Sequence, residues 1–249
     1  DSTQSVPGRG IIADLGGMQD WASVYPLFHW GPIPWSFYMT LAVAFGFMLH
    51  VRRRNKQKYS EACRPLLGRY TDRLPGKLID LLALFALLAG TATTFALATP
   101  LLSLAISHVL HIPQSNLLTV GILLITCVTY TCAVYFGMIG IIRLAASCIY
   151  LFFALLLYVF IGGGEAKYTV ETGLSALGSL TQNFLTMATW TDALRTSSFP
   201  QNWTIFYWAY WISWSVATPF FIGKISEGRT IRQTIVGAYI SGVSATFLS

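Results

Sequence analysis

The stretch NWTIFYWAYWISWSVATPFFIGKISEGRT, at residues 202–230, is apolar for about 20 residues, which is long enough for a helix to cross a bilayer. Five of its aromatic residues recur at helical spacings of three and four and so share one face: Trp203, Tyr207, Tyr210, Trp211 and Trp214. The faces of indole and phenol rings attract cations. The stretch therefore predicts a membrane helix that carries a cage for a cation without hydrogen-bond donors, such as a quaternary ammonium group.

The whole chain has the composition of an integral membrane protein. Of its 249 residues, 54% are hydrophobic and 10% are charged, whereas a soluble domain carries about 25% charged residues. The apolar runs predict an all-α integral membrane protein with spans at residues 28–51, 78–105, 117–136, 141–161, 203–225 and 234–249. The chain lacks an initiator Met and stops inside an apolar run, so we expect a single transmembrane domain over residues 1–249 that is a fragment of a larger protein.

Basic residues predict the orientation of the spans. Nine of the 16 lie in residues 52–77, which indicates a cytoplasmic basic loop rather than a nucleic-acid-binding region. With alternating spans, 13 basic residues fall on the cytoplasmic side and three on the other. Residues 165–200 then form an extracytoplasmic loop, in which Val170–Leu185 has the pattern of a helix lying on the membrane surface. We expect a multi-pass protein of the plasma or inner membrane.

Motifs of enzymes and metal sites are missing from the sequence. It contains no G-x-S-x-G, H-E-x-x-H or P-loop motif, and its four cysteines have no metal-binding or redox spacing. Carboxylates are nearly absent from the predicted spans, which gives no support to a proton relay within them. We therefore expect no enzyme, no catalytic residue, no metal ligand and no organic cofactor. The expected partners are a small substrate and the lipid bilayer, with no nucleic acid.

A second aromatic set lies at residues 28–38, FHWGPIPWSFY. In the predicted topology this set and the one at 203–214 both begin at the outer side, so two helices can present rings to one cavity. An aromatic belt at the membrane interface is the alternative interpretation. In GTATTFALATP, residues 90–100, the Thr91 and Thr94 hydroxyls could bind an ion, and close packing of helices through small residues is the alternative there.

Three motifs resemble those of the betaine/choline/carnitine transporters. WTIFYWAYWISW with GKISEGRT resembles the family signature W-T-x-F-Y-W-A-W-W-I-S-W-S followed by A-R-I-S-R-G-R-T, FHWGPIPWSFY resembles H-W-G-x-x-x-W-x-x-Y, and GTATTFALAT resembles G-T-x-x-S/T-L-G-L. The motifs keep the family's order along the chain from about Trp21 to Ser249. The resemblance implies a LeuT-type transporter of twelve spans with two inverted five-helix repeats, of which this chain covers about spans four to nine.

The resemblance also implies which residues bind the substrate. The family's aromatic box for onium groups falls on Trp30, Tyr38, Tyr210, Trp211 and Trp214, and its ion-site region falls on Thr91 and Thr94. Trp203 and Tyr207 are then packing or entry residues. Tyr210 stands where the family usually has Trp, and Ala217 stands where sodium-coupled members have an aromatic residue. A sodium ion, a proton and exchange of substrates all remain open as the coupling mode, and a homotrimer is a further expectation from the family.

Three functions fit the sequence. The first is secondary active transport, by alternating access, of a small quaternary ammonium compound such as choline, glycine betaine or carnitine. The second is an onium-binding membrane receptor or osmosensor that uses the same aromatic cage without transport. The third is a structural subunit whose aromatic residues only pack against one another. An intramembrane enzyme has the least support, because no pair of nucleophile and base is visible.

Overall fold

The structure, a computed structural model, describes residues 18–54, 56 and 58–248, and all regular secondary structure in these residues is helical. The α-helices in chain order are α1 Met18–Trp30, α2 Pro32–Gly46, α3 Tyr59–Ala62, α4 Arg64–Leu67, α5 Leu74–Leu110, α6 Asn116–Tyr135, α7 Gly137–Leu157, α8 Ala166–Thr189, α9 Ile205–Trp214, α10 Thr218–Ile225 and α11 Ile231–Leu248. π-Helical turns follow α2 at Phe47–Val51 and α7 at Tyr158–Gly162 and precede α9 at Pro200–Thr204, and a 3-10 turn covers Gly68–Asp72.

Among the described residues, four helical segments are long and apolar enough to cross a membrane: Asp20–Val51, Leu74–Leu110, Asn116–Tyr135 and Ile139–Gly162. They overlap the first four predicted spans. The predicted span at 203–225 coincides with α9 and α10, the one at 234–249 with most of α11, and the predicted surface helix with part of α8. The orientation of these helices in a membrane stays a prediction. Of the predicted domain, residues 1–17, Asn55, Gln57 and Ser249 lie outside the described residues.

The aromatic segment at 202–230 is broken near Pro219. Helix α9 ends at Trp214, and α10 begins at Thr218. Because proline has no N–H group, the carbonyl four residues earlier, that of Ser215, receives no helical hydrogen bond. The Tyr59 hydroxyl donates to this carbonyl oxygen over 3.4 Å, which is long for a hydrogen bond. Pro219 therefore explains the break in the helix, and Tyr59 partly satisfies the Ser215 carbonyl.

The described chain divides into two compact units. The first comprises the residues up to Gly90 and those from Lys167 onward, and the second is Thr91–Ala166. The main core of the first unit lies between α1 and α8. It contains the buried side chains of Trp21, Val24, Tyr25, Phe28, Ala176, Leu180 and Met187. This core holds α1 in place beside the start of the aromatic segment, since Phe199 also belongs to it.

The second unit is built around a hairpin of α6 and α7. Gly137 turns the chain between the two helices with φ at 66°, a conformation that glycine adopts without steric cost. Ser115 caps α6 by accepting a hydrogen bond from the Leu118 amide at 3.2 Å. The Thr119 hydroxyl donates to the Ser103 hydroxyl at 3.0 Å and so joins α6 to the last part of α5.

Two glycines bring α2 and α10 into close contact in the first unit. A Cβ atom added at Gly223 would lie 2.8 Å from the Gly46 amide nitrogen and 2.9 Å from the Phe45 Cβ. A Cβ added at Gly46 would lie 2.9 Å from the Ser226 hydroxyl oxygen. Small residues of this kind allow membrane helices to approach closely. Helix α10, which carries the second half of the aromatic segment, is therefore packed directly on α2.

We expect Gly223→Ala to lower the free energy of unfolding by about 1–3 kcal/mol, because the added methyl group overpacks the contact with α2. Thermal unfolding of the purified protein in detergent, followed by circular dichroism, measures this. Gly237→Ala on α11 is the control, since a Cβ there meets nothing within 4 Å. It should be neutral or slightly stabilising, as alanine favours a helix over glycine. Equal melting temperatures of the two variants would contradict a tight crossing.

The segment after α2 is held by a buried carboxylate. Glu61 is only 2% exposed and accepts hydrogen bonds from Arg54 Nη1 at 2.6 Å and from Arg64 Nε and Nη2 at 2.6 and 2.7 Å. These bonds lower the pKa of Glu61 to about 2, chiefly through Arg64. Asp72 lies 2.9 Å from Arg64 and extends the network. The predicted basic loop thus carries its own counter-charges.

Glu61→Gln is expected to lower the free energy of unfolding by about 2–3 kcal/mol at neutral pH, since two arginines lose their charged partner. Because the pKa of Glu61 is below its ordinary value of 4.5, its stabilisation is complete above that pH and is lost as the pH falls towards 2. The difference in thermal stability between wild type and variant should shrink over this range. Glu171→Gln serves as the control, because Glu171 is exposed and pairs with Lys167 only at 3.7 Å. A pH-independent difference would show that Glu61 does not act through its charge.

Candidate functional site

The junction of α1 and α2 leaves backbone carbonyl groups free for other helices. Gly31 separates the helices, and a Cβ there would lie 2.2 Å from the Leu27 carbonyl oxygen, so a larger residue does not fit without a shift. Pro34 cannot donate to the Trp30 carbonyl four residues earlier. The Thr246 hydroxyl of α11 donates to it instead, at 3.0 Å. The sequence W-G-P-I-P therefore produces a helix break whose carbonyls are bound by side chains from distant parts of the chain.

The same junction fixes the orientation of Trp211. Its indole Nε1–H donates to the His29 carbonyl oxygen at 2.8 Å. The His29 ring is buried, lies 3.1 Å from the Thr204 hydroxyl and stacks on Tyr207 with ring centroids 4.8 Å apart. Since Nε1–H is the only donor of the indole, this one bond aligns the ring. Helix α9 is thus joined to the end of α1 at the depth of Trp211.

Three further rings surround Trp211. Trp30 lies 4.6 Å from it, centroid to centroid, at an interplanar angle of 87°, and Tyr38 lies 6.1 Å away at 84°. Tyr210 lies 5.2 Å away at 64°. Tyr38 is 5% exposed, whereas Trp30 is 43% exposed. We call these four residues the ring cluster. The structure therefore brings together four of the five aromatic residues predicted to bind the substrate, with two rings nearly perpendicular to Trp211.

The fifth predicted residue, Trp214, has a different main contact from the ring cluster. Its indole lies over Gly90 of α5, with Nε1 3.4 Å from the position of a Cβ there. It also packs against the buried group formed by Tyr38, Met39, Ala42 and Ile222. Among the described residues no ring-to-ring contact of Trp214 is found. Its predicted role in substrate binding stays a prediction.

The two predicted ion-site residues lie on α5. Thr91 and Thr94 are one helical turn apart and half-buried, and both belong to the second unit. Ala217, which stands where sodium-coupled members carry an aromatic residue, lies in the break between α9 and α10. The described residues contain no group of three or more His, Cys, Asp or Glu side chains that could hold a metal ion. The binding of a coupling ion stays a prediction.

The structure adds Trp35 to the neighbourhood of the ring cluster. Its indole lies 5.8 Å from Tyr38 at an angle of 84°. Ring atoms of Trp35 lie 2.1–2.3 Å from the position that a Cβ at Gly242 would take, so the indole lies directly on α11. Trp35 stands three residues before Tyr38 and shares its helix face. That spacing was the signal in the sequence that could have identified it.

Tyr207 is the second residue that the site gains. Besides its stack on His29, it contacts Trp30 with centroids 6.2 Å apart. The Trp203 ring stacks on Tyr207 with centroids 6.4 Å apart, and Trp203 is 45% exposed. The two residues thus form a line of rings that leads from the exposed start of the aromatic segment to Trp30. The predicted division between entry or packing residues and the box itself stays a prediction.

A family model described as BCCT, betaine/carnitine/choline family transporter, matches residues 3–249. The chain belongs to this family. The resemblance inferred from the three motifs is thereby confirmed, and so is the prediction of an all-α membrane protein. As a BCCT protein, the chain is a multi-pass membrane protein of a family that transports betaine, choline and carnitine-type compounds. The BCCT family consists of transporters, which agrees with the expectation that the protein is not an enzyme.

The ring cluster offers uncharged π faces. Its four side chains carry no charge, so a cation is attracted by the π faces of the rings. A quaternary ammonium group has no N–H to donate, and the attraction between a cation and a π face requires no hydrogen bond. The single indole donor of Trp211 is already bound to the His29 carbonyl, so the ring cluster can receive an apolar cationic group without leaving that donor unpaired.

Proposed function

We propose that this BCCT protein is a secondary active transporter of a small quaternary ammonium compound, such as choline, glycine betaine or carnitine, which it moves by alternating access. Trp30, Tyr38, Tyr210 and Trp211 hold the onium group, and Trp214 lines the same path one turn further along α9. The observation that supports this best is the position of Trp211 in contact with three other rings at 4.6–6.1 Å.

The geometry allows an onium nitrogen to contact more than one ring. A cation within about 6 Å of a ring centroid gains attraction, and Trp30 and Tyr210 both lie within 5.2 Å of Trp211. The rings contact one another, so an onium group would replace ring-to-ring contacts. An aromatic pair contributes about 0.5–1.5 kcal/mol, whereas a desolvated cation over an aromatic ring contributes about 2 kcal/mol or more. Replacing a ring-to-ring contact by a contact between the cation and a ring therefore favours binding.

The coupling ion is a second part of the proposal. We propose that Thr91 and Thr94 contribute hydroxyl oxygens to an ion site, because they lie one turn apart on one helix. Ala217 stands where sodium-coupled members carry an aromatic residue, so sodium symport, proton symport and exchange are to be separated by measurement. Assembly into a homotrimer and location in the plasma or inner membrane are proposed from membership of the family.

Flux into sealed proteoliposomes tests the proposed function. Radiolabelled choline, glycine betaine and carnitine are offered separately under an inward sodium gradient, an inward proton gradient, or with unlabelled substrate inside. A transporter accumulates one of them in time, and a pore-forming detergent releases the label. A receptor gives saturable binding without accumulation, and a structural subunit gives neither. Binding without accumulation under all three conditions would overturn transport while leaving the ring cluster as a binding site.

A further inference from the structure

A cavity of about 310 Å³ lies at the end of α2. Its apolar lining, which we call the floor, includes Phe47 and Met48 from the last turns of the membrane-crossing segment Asp20–Val51. Its charged lining, which we call the rim, consists of Arg52, Arg54, Arg64 and Glu61. We call this feature the arginine cavity. It combines an apolar floor at the end of a membrane span with three guanidinium groups just beyond it, and it is separate from the ring cluster.

Two of the three arginines have hydrogen-bond donors to spare. A guanidinium group has five N–H donors. Arg64 is engaged by Glu61 and Asp72, whereas the Arg54 guanidinium makes one hydrogen bond to the described residues, with Glu61. The Arg52 guanidinium lies 5.6 Å from the centre of the Phe47 ring and donates to no side chain or backbone group of the described residues. The free donors of the arginine cavity therefore come from Arg52 and Arg54.

Glu61 holds the cavity in shape without cancelling its charge. The buried carboxylate binds both Arg54 and Arg64 and so limits their movement. The four charged groups of the lining, three arginines and one glutamate, carry a net charge of +2. Guanidinium groups match the geometry of phosphate oxygens and form charge-assisted hydrogen bonds with them. A phosphate group is therefore the chemistry that fits the rim.

We propose that the arginine cavity binds the phosphate of an anionic phospholipid, with Arg52 and Arg54 as its donors and Phe47 against its glycerol and first acyl carbons. The apolar floor favours a lipid over a phosphate from solution, because a soluble anion makes no use of it. Phe47 is 39% exposed and so available for this contact. The predicted cytoplasmic position agrees, since that leaflet carries the anionic lipids that basic segments near the membrane attract.

The test measures thermal protection of the complete purified transporter in detergent by three probes: short-chain phosphatidylglycerol, short-chain phosphatidylcholine and inorganic phosphate. We expect phosphatidylglycerol to protect the wild type at lower concentration than the other two. Arg52→Gln and Arg54→Gln should each weaken its binding about tenfold, the effect of losing one charge-assisted hydrogen bond. Arg53→Gln is the matched control. It removes the same charge from the neighbouring exposed residue, which does not line the cavity, and it should bind as the wild type does.

Each outcome bears on the proposal. Protection by inorganic phosphate that also depends on Arg52 would support a phosphate site and overturn its assignment to lipid. Equal losses in Arg52→Gln and Arg53→Gln would overturn the site, since they would reveal only diffuse surface charge. Arg52→Lys keeps the charge but not the fork of donors, so it should bind between wild type and Arg52→Gln. If Arg52→Gln and Arg52→Lys both bound phosphatidylglycerol as tightly as the wild type does, the proposal would be overturned. Neither variant removes a side-chain hydrogen bond found in the structure, so folding should be retained.

Discussion

Trp211→Ala should weaken the binding of an onium substrate by roughly 100-fold, which corresponds to about 2.7 kcal/mol. The variant loses the π face at the centre of the ring cluster, worth about 2 kcal/mol for a desolvated cation. It also removes the contacts that orient Trp30, Tyr38 and Tyr210. Equilibrium binding of radiolabelled choline, glycine betaine and carnitine to purified protein in detergent measures the effect.

Two companion variants separate the contributions of Trp211. Trp211→Phe keeps a π face but loses the hydrogen bond to the His29 carbonyl, so its affinity should fall between those of wild type and Trp211→Ala. Trp203→Ala is the control, because that indole is exposed and contacts only Tyr207 among the described rings. It should change affinity by less than about threefold. If Trp203→Ala and Trp211→Ala behaved alike, a specific role for the ring cluster would be wrong.

Gly242→Ala should weaken binding about tenfold although residue 242 touches no predicted box residue directly. A methyl group there would lie 2.1–2.3 Å from ring atoms of Trp35, so the indole must move. Trp35 in turn packs at a right angle on Tyr38, 5.8 Å away. Overpacking of this kind also costs about 1–3 kcal/mol of stability. Affinity and melting temperature are measured on the same preparation.

A double-mutant cycle identifies Trp35 as the link. Trp35→Ala removes the ring that the new methyl group strikes, so Gly242→Ala should have little further effect in that background. Gly237→Ala, on the same helix but with nothing within 4 Å of the added Cβ, should leave affinity unchanged. If Gly242→Ala had the same effect with and without Trp35, its effect would not pass through that indole.

Helical spacing placed Tyr210 and Trp211 on one aromatic stripe, and the resemblance to the betaine/choline/carnitine transporters selected them together with Trp30 and Tyr38. Trp30 and Tyr38 lie in one segment, Tyr210 and Trp211 in another, and both segments were expected to enter from the same side. Residues with helical spacing share a face of one continuous helix, so the stripe of α9 that contains Tyr210 and Trp211 is local, whereas Trp30 ends α1 and Tyr38 lies in α2. The helical spans could be predicted because they too are local: a membrane segment must satisfy its own backbone hydrogen bonds.

The position of Trp214 could not be predicted from the same spacing. A residue three positions further along a helix lies about 4.5 Å deeper and is rotated by about 60° relative to the first. Trp211 and Trp214 therefore share a face in outline, yet Trp211 reaches α1 and α2 and Trp214 reaches Gly90 of α5. The choice depends on which helix lies opposite at each depth, and no local pattern contains that information.

Contacts between distant backbone groups and side chains were also invisible in the sequence. The bond from Trp211 to the His29 carbonyl requires the break at Gly31, which frees that oxygen, and the arrival of α9 from residues far along the chain. The same holds for Trp35 on Gly242. At Gly242 the absence of a Cβ permits the approach of the indole, and at Gly31 it permits the break, since a Cβ there would lie 2.2 Å from the Leu27 carbonyl oxygen. The sequence alone does not say which side chain approaches either glycine.

The central claim is that the ring cluster binds its substrate as a cation. It is tested most directly by comparing whichever of choline, glycine betaine and carnitine binds best with the analogue in which carbon replaces the quaternary nitrogen. The two compounds have nearly the same shape and differ in charge. We expect the onium compound to bind the wild type at least about 30-fold more tightly and this preference to be largely lost in Trp211→Ala. Equal affinity of the wild type for the two compounds would contradict the claim.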